Sequence, residues 1–301
     1  MELRQLRYFV TVAGTLSFSE AAKRLFITQG TLSQQIMQLE DEVGSKLFDR
    51  TSRAVALTEA GEELLPLARK TLEDSDVCKN RMKDLQGALV GTLRLGTTHS
   101  FTTLMSDTVR VFLKTHPGVN LEIRVGTAAD MLEMLRDKSL DLVLAFKPIL
   151  EYEDIESEPL FKTNLSVVMR KDHPLAEKDS ITMSELENWG VVLPGRGLQA
   201  RRIFDRFVGL DTRKLNVRVE LNDPNLIMDI VQGTNLISLV SSLASFYRTN
   251  LVAIPLEGGT HTMTGCVHRL KEGYRKRSSD IFLELLRESA QIERLSKNLE
   301  L

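Results

Sequence analysis

The sequence predicts a helical N-terminal segment ending in a basic β-ribbon, then a long connecting helix, then an α/β region of two units. Three observations lead to this. Between Ser17 and Thr58, capped amphipathic stretches precede a short basic loop. From Thr58, apolar and small residues recur in alternating four- and three-residue steps. From Thr92, runs with strand character alternate with runs of helical period.

In the first segment, Leu3, Leu6, Val10 and Ala13 share one face of a first helix, which Gly14 should end. Ser17 with Glu20 reads as a capping box for a short helix over 18–25, whose Ala21 and Ala22 permit close approach of a neighbour. Thr28 is the next N-cap. Leu32, Ile36, Leu39 and Val43 then form an apolar stripe. Opposite it lie Thr31, Gln34, Gln35 and Gln38, with Gln29 and Gly30 at the tip.

That polar face is rich in amides and holds no acid before Glu40. Glutamine can pair adenine N6 and N7 in a major groove, and threonine can meet a thymine methyl. The helix N-terminus favours phosphate. Residues 46–57 read as a ribbon with Arg50, Thr51, Ser52 and Arg53 at its tip. A net charge of −2 over 301 residues gives no global signal for nucleic acid, so the local basic edge carries it. The order of helix, capped helix, acid-free helix and basic ribbon is that of an all-α winged helix-turn-helix domain reading double-stranded DNA.

The stretches LRQLRYFVTVA, FSEAAKRLFITQGTLSQQIMQLEDEVGSKLFDR and ALTEAGEELL together resemble the LysR-type transcriptional regulators. The resemblance implies that Gln29, Thr31, Ser33, Gln34 and Gln35 face promoter DNA, helped by Arg50 and Arg53 of the wing. The family pattern has proline where this chain has Gly30, which restores an N–H able to reach phosphate.

Thr58 caps a helix running to about Gln86, roughly 40 Å long at ~1.5 Å per residue. Leu64, Ala68, Thr71, Ser75, Cys78, Met82 and Leu85 form a seam that suits a partner helix, and Pro66 should bend it. A DNA-reading helix covers two half-sites when paired, so this helix is expected to hold a homodimer. The resemblance extends that to a homotetramer. Gly87 and Gly91 mark a hinge.

Beyond the hinge, 92–96, 119–125 and 141–146 read as strands with helices between them, a parallel α/β pattern. A second unit begins near Leu160, with strands at 165–169, 190–193, 215–221, 235–240 and 251–254. Thr182 and Glu185 form a capping box, and the chain returns to the first unit over 267–270 before a terminal helix from Ser278. Two such units with two crossings resemble the periplasmic-binding-protein architecture, which matches the effector half of the same family. The expected domains are 1–58, 59–87 and 91–301, the last divided into 91–161 with 268–301 and 162–267. Ligands of open α/β sheets lie beyond the carboxyl ends of strands. Thr98, His99, Ser100, Thr127, Arg196 and Asn222 occupy those loops and are the expected contacts for a small, anionic effector.

Other classes find less support. There is no metal-ligand spacing, no GxSxG, HExxH or P-loop, and no apolar run that spans a bilayer, so no cofactor, metal or membrane is expected and a cytoplasmic site is. Gly195–Ala200 fits GxGxxA after a strand, with Glu220 near the distance of a ribose-binding acid, which leaves a nucleotide-binding oxidoreductase as one alternative. The other is a thiol-based redox sensor. Peroxide-sensing members of the resembling family use a cysteine pair in the second unit, where this chain has Cys266 alone; Cys78 lies in the long helix.

Overall fold

The computed structural model describes residues 1–50, 55–85, 89–208, 214–246, 248–258 and 262–297. They form two compact units, Met1–Ala88 and Leu89–Leu301. Among the described residues no helix is long and apolar enough to cross a membrane.

In the first unit, α1 (Leu3–Thr15), α2 (Phe18–Arg24) and α3 (Gln29–Val43) pack about one core. The α1 stripe is shifted from the expected one. Leu6, Phe9 and Val12 are buried, while Leu3 is exposed, because Phe9 packs on Phe48 with ring centroids 5.4 Å apart. Helix α1 ends one residue beyond Gly14, with Leu16 left-handed at φ 47°. Ser17 accepts from the Glu20 N–H, the first half of the expected capping box; Glu20 turns to Arg24 at 3.6 Å. Thr28 accepts from the Thr31 N–H and caps α3.

The wing is a two-stranded antiparallel ribbon, β1 (Phe48–Arg50) with β2 (Val55–Leu57). Phe48 pins it to the core against Phe9 and Phe18. Helix α4 (Glu59–Leu85) follows, with the Thr58 hydroxyl accepting from Gly61 N–H at 3.0 Å. It stays one helix through Pro66. Leu64, Ala68 and Leu72 pack on the core of their own unit. The first part of the expected partner seam is therefore spent locally; Thr71, Cys78 and Met82 are exposed further along.

The second unit holds one mixed sheet. In chain order its elements are β3 (Gly91–Thr98), α5 (Thr102–Thr115), β4 (Val119–Gly126), α6 (Ala128–Arg136), β5 (Leu142–Phe146) and β6 (Ile155–Arg170). There follow α7 (Met183–Leu186), β7 (Gly190–Pro194), α8 (Gln199–Val208), β8 (Asn216–Leu221), α9 (Pro224–Gly233) and β9 (Ile237–Ser241). The unit closes with α10 (Leu243–Phe246), β10 (Leu251–Pro255), β11 (Thr262–Leu270), α11 (Arg277–Arg287) and α12 (Ala290–Lys297). Among the described residues the strand order is β4-β3-β5-β11-β6-β9-β7-β8, with β10 on β6.

The parallel pattern holds within each half: β3 pairs parallel with β4 and β5, and β7 with β8 and β9. The two trios are joined by β6 and β11, antiparallel to each other and to their neighbours. The strand expected at 165–169 is the second half of β6, and the boundary expected at 161/162 falls inside it. The strand expected at 267–270 likewise begins at Thr262. Both are continuous because each crosses between halves while hydrogen-bonded to the other. The register shifts between Gly265 and Cys266, and a Cβ on Gly265 would stand 2.5 Å from the Phe161 ring. Of the expected hinge glycines, Gly87 lies outside the described residues and Gly91 opens β3.

His268 of β11 sits fully buried at this crossing. Its Nδ1 pairs with Ser157 Oγ at 2.8 Å and its Nε2 with the Ala145 carbonyl at 3.3 Å. That arrangement suits a neutral ring that accepts at one nitrogen and donates at the other. Burial pushes its pKa down to about 4. Between that value and the unfolded value near 6.5 the unfolded chain binds more protons, so stability falls as pH drops through this window. We expect about 3 kcal/mol of loss from this residue by pH 4. Urea titrations at pH 7 and pH 4.5 should show a smaller acid loss in His268→Gln than in the parent.

Candidate nucleic-acid interface and ligand cleft

The outer face of α3 is presented to solvent because its inner face is anchored. Leu32, Ile36 and Leu39 are completely buried. Gln29, Gly30, Thr31 and Gln34 are exposed, and Ser33 and Gln35 are half-buried. The Ser19 hydroxyl donates to Gln29 Oε1 at 2.8 Å, and Gln35 Nε2 donates to Gln38 Oε1 at 2.9 Å. The Thr28 and Thr31 hydroxyls lie 2.8 Å apart. The Gln34 side chain makes no hydrogen bond to a described residue, so its amide is open to a base edge. The backbone of Arg50 pairs with Val55 in the wing; its side chain, like Arg53 and the rest of the wing tip, lies outside what is described.

Two residues near this face were not among those expected. Glu40 takes the place on the buried stripe that Val43 was expected to fill; Val43 is 38% exposed. The Glu40 carboxylate accepts from the N–H groups of Leu47 and Phe48 at 2.9 and 3.3 Å and meets Lys46 Nζ at 3.3 Å. It thereby fixes where the wing leaves α3. An acid four residues after Ile36, on the apolar face, was the available signal. Phe26, between α2 and α3, is 95% exposed at φ 55°.

In the second unit, a cleft of about 570 Å³, including its open mouth, lies at the carboxyl ends of the parallel strands. Thr98, His99 and Ser100 line it at the end of β3, and Gly126, Thr127 and Ala128 at the end of β4. Across from them lie residues 197–200 entering α8, Pro224 of α9, and Ser241 and Ala244. Phe146, Val240 and Met263 add apolar surface. The N-termini of α6, α8 and α9 open onto it, and among the described residues no Lys, Arg, Asp or Glu lines it. Backbone N–H groups and hydroxyls, rather than an ion pair, would hold an anion there. Gln199 Nε2 donates to the Lys147 carbonyl at 3.1 Å, tying the start of α8 to the end of β5.

Four of the six expected effector contacts line this cleft: Thr98, His99, Ser100 and Thr127. The Thr98 and Ser100 hydroxyls and the His99 ring bond no described residue. The Thr127 hydroxyl is committed to its helix, donating to Asp130 Oδ2 at 2.7 Å and accepting from Asp130 N–H at 3.2 Å. Arg196 and Asn222 are corrections: both are exposed and neither lines the cleft. Their loops pack together, with a Cβ on Gly195 only 3.2 Å from that of Asn222, and the chain turns inward one or two residues later, at Gly197 and Pro224. Gly195–Ala200 does join a strand to a helix, but Glu220 pairs with Arg201 at 3.2 Å.

A family model described as bacterial regulatory helix-turn-helix protein, lysR family, matches residues 3–62, and one described as LysR substrate binding domain matches residues 86–291. The chain belongs to the LysR family. This LysR-type regulator is a DNA-binding transcriptional regulator with a two-subdomain α/β effector-binding region. It is 30% identical to the HTH-type transcriptional activator CmpR of Synechocystis sp. over 259 residues, 85% of each chain. It is 35% identical to the transcriptional regulator YnfL of Escherichia coli over 268 residues, 83% of this chain and 85% of that one. Its fold is similar to a full-length OxyR variant from Pseudomonas aeruginosa, with TM-score 0.74, 24% identity and 98% and 97% of the two chains covered. It is similar also to full-length CbnR in complex with its target DNA, with TM-score 0.65, 21% identity and 96% and 100% covered.

Proposed function

We propose that the regulator reads promoter DNA with the outer face of α3 laid in a major groove. Gln34 contacts base edges, Gln29, Gly30, Thr31, Ser33 and Gln35 frame it, and Arg50 and Arg53 of the wing meet phosphates. The observation that carries this reading is the acid-free, hydroxyl- and amide-rich face of α3, exposed while its opposite side is wholly buried. Duplexes selected from a random pool supply the test. Gln34→Ala should lower discrimination between the selected and scrambled duplexes by ~1–3 kcal/mol and leave scrambled binding unchanged. Equal loss on both would remove Gln34 from base reading.

The regulator acts as a homodimer through the outer part of α4 and as a homotetramer through the second unit, in the cytoplasm. Exposed Val111 and Leu113 of α5, and Ile123, Val125 and Val217 on the edge strands β4 and β8, favour self-association. A small anion with an apolar body, seated in the cleft, sets how the two halves of the second unit close and so how DNA is bent.

A thiol-sensing role is disfavoured by the surroundings of Cys266. Its side chain is buried in β11, and burial pushes its pKa up to about 11, which leaves little reactive thiolate near pH 7. Cys78 is exposed. An aromatic disulfide reagent should titrate Cys78 in the native protein and reach Cys266 only after denaturant. Rapid native reaction of both would revive the redox reading.

A further inference from the structure

The Ser19–Gln29 bond orients the amide at the start of α3. Ser19 sits on α2 and donates its single hydroxyl proton to Gln29 Oε1 at 2.8 Å. An amide oxygen only accepts and an amide nitrogen only donates. The oxygen end of Gln29 is thus held toward α2, and its two N–H donors meet no described residue. Thr28 and Thr31 do not compete for Gln29. Their hydroxyls bond each other, and Thr28 also accepts the Thr31 N–H at 3.1 Å. Gln35 is tied at its nitrogen instead, by the bond to Gln38, and Gln34 keeps both ends of its amide open. Gln29, Gln34 and Gln35 therefore differ in what they can offer DNA.

We propose that Ser19 is a positioning residue that fixes Gln29 as a hydrogen-bond donor toward DNA, so that Gln29 meets an acceptor there. This rests on reading α3 as the DNA-contacting helix. A glutamine with both ends open can pair adenine N6 and N7 together. Gln29 has its oxygen turned toward α2, so what it turns toward DNA is its N–H donors, whose match is an acceptor: guanine N7 or O6, thymine O4, or a phosphate oxygen.

The test uses the wild-type regulator and a duplex it selects from a random-sequence pool. Binding is measured for Ser19→Ala, Ser19→Thr, Gln29→Ala, Gln29→Glu and the Ser19→Ala/Gln29→Ala pair, on that duplex and on each of its single-base-pair changes. Ser19→Ala should weaken binding roughly three- to tenfold, the worth of one hydrogen bond. Ser19→Thr should restore it, and Ser19→Ala should change nothing once Gln29 is alanine. Gln29→Glu still accepts from Ser19 but turns an acceptor toward DNA, so it should bind worse than Gln29→Ala.

A loss confined to one base pair identifies a base-edge acceptor, and an even loss over all duplexes identifies a phosphate; both support the proposal. Undiminished binding by Ser19→Ala, the same loss in the Gln29→Ala background, or wild-type binding by Gln29→Glu overturns it. Melting temperatures of the variants separate a packing defect, which would show as a lowered melting point and an uncoupled loss and would also overturn it. If the wild type selects no sequence, or Gln34→Ala keeps full selectivity, the reading of α3 fails first and takes this proposal with it.

Discussion

Gly61→Ala is expected to destabilise the first unit by about 3 kcal/mol and to remove DNA binding with it. Helix propensity alone argues the other way, since alanine inside a helix gains about 1 kcal/mol over glycine. The packing decides the sign. A Cβ at position 61 would stand 2.2 Å from the Leu47 carbonyl oxygen and 2.9 Å from a Leu57 methyl. The first neighbour is backbone and cannot rotate away. The same carbonyl accepts from Thr58 N–H at 3.1 Å, and the Thr58 hydroxyl donates to the Lys46 carbonyl at 2.6 Å. Glu40 holds the following N–H groups of Leu47 and Phe48 from below. The start of α4, the root of the wing and the end of α3 thus meet at one point, and adding a methyl group pushes all three apart. Thermal unfolding and binding to the selected duplex would check this, with Gly14→Ala as the control. A Cβ at Gly14 meets nothing within 4 Å, so that variant should melt like the parent or slightly above it. A Gly61→Ala protein that melts with the parent would show that the approach of α4 to Leu47 is not fixed.

The close approach at Gly61 also shows where sequence reading stops. Helical spacing and N-caps placed α2, α3 and α4 closely, because Ser17, Thr28 and Thr58 act within a few residues of themselves. The identity of the buried face was harder. Val43 continues the stripe by spacing, yet Glu40 is the buried residue, because its carboxylate meets N–H groups seven and eight residues away. Phe9 replaces Leu3 in the core for a similar reason, through its contact with Phe48. In the second unit, the strand ends that face the cleft were legible from the alternation of strands and helices. Which loop residue turns inward was not. Arg196 and Gly197 are neighbours, and the difference between them is set by how the 195 and 222 loops pack on each other. The length of β6 was hidden because its first part pairs with β11 and its last part with β9 and β10, and no local pattern marks a strand that changes neighbours partway.

Arg201→Ala is expected to cost the second unit about 3–5 kcal/mol, the loss that follows when one partner of a buried ion pair is removed. Arg201 and Asp205 are one turn apart on α8, and both are buried. Arg201 Nε donates to Asp205 Oδ1 at 2.7 Å, while Nη1 donates to the Pro194 carbonyl at 3.1 Å and lies 3.2 Å from Glu220. One guanidinium therefore ties α8 to the ends of β7 and β8. Alanine would leave the Asp205 carboxylate and the Pro194 carbonyl inside the protein without their donor. Because the buried charge, not the attraction itself, sets the cost, Arg201→Met/Asp205→Leu should recover most of the stability that Arg201→Ala loses. Leu198, Gln199 and Ala200 of the same helix start form one wall of the cleft. The double variant would then fold yet hold that wall without its tie to Pro194, and its response to effector should weaken more than its melting point. If Arg201→Ala melts with the parent, or if the double variant is no more stable than the single one, the buried pair does not hold α8 in place.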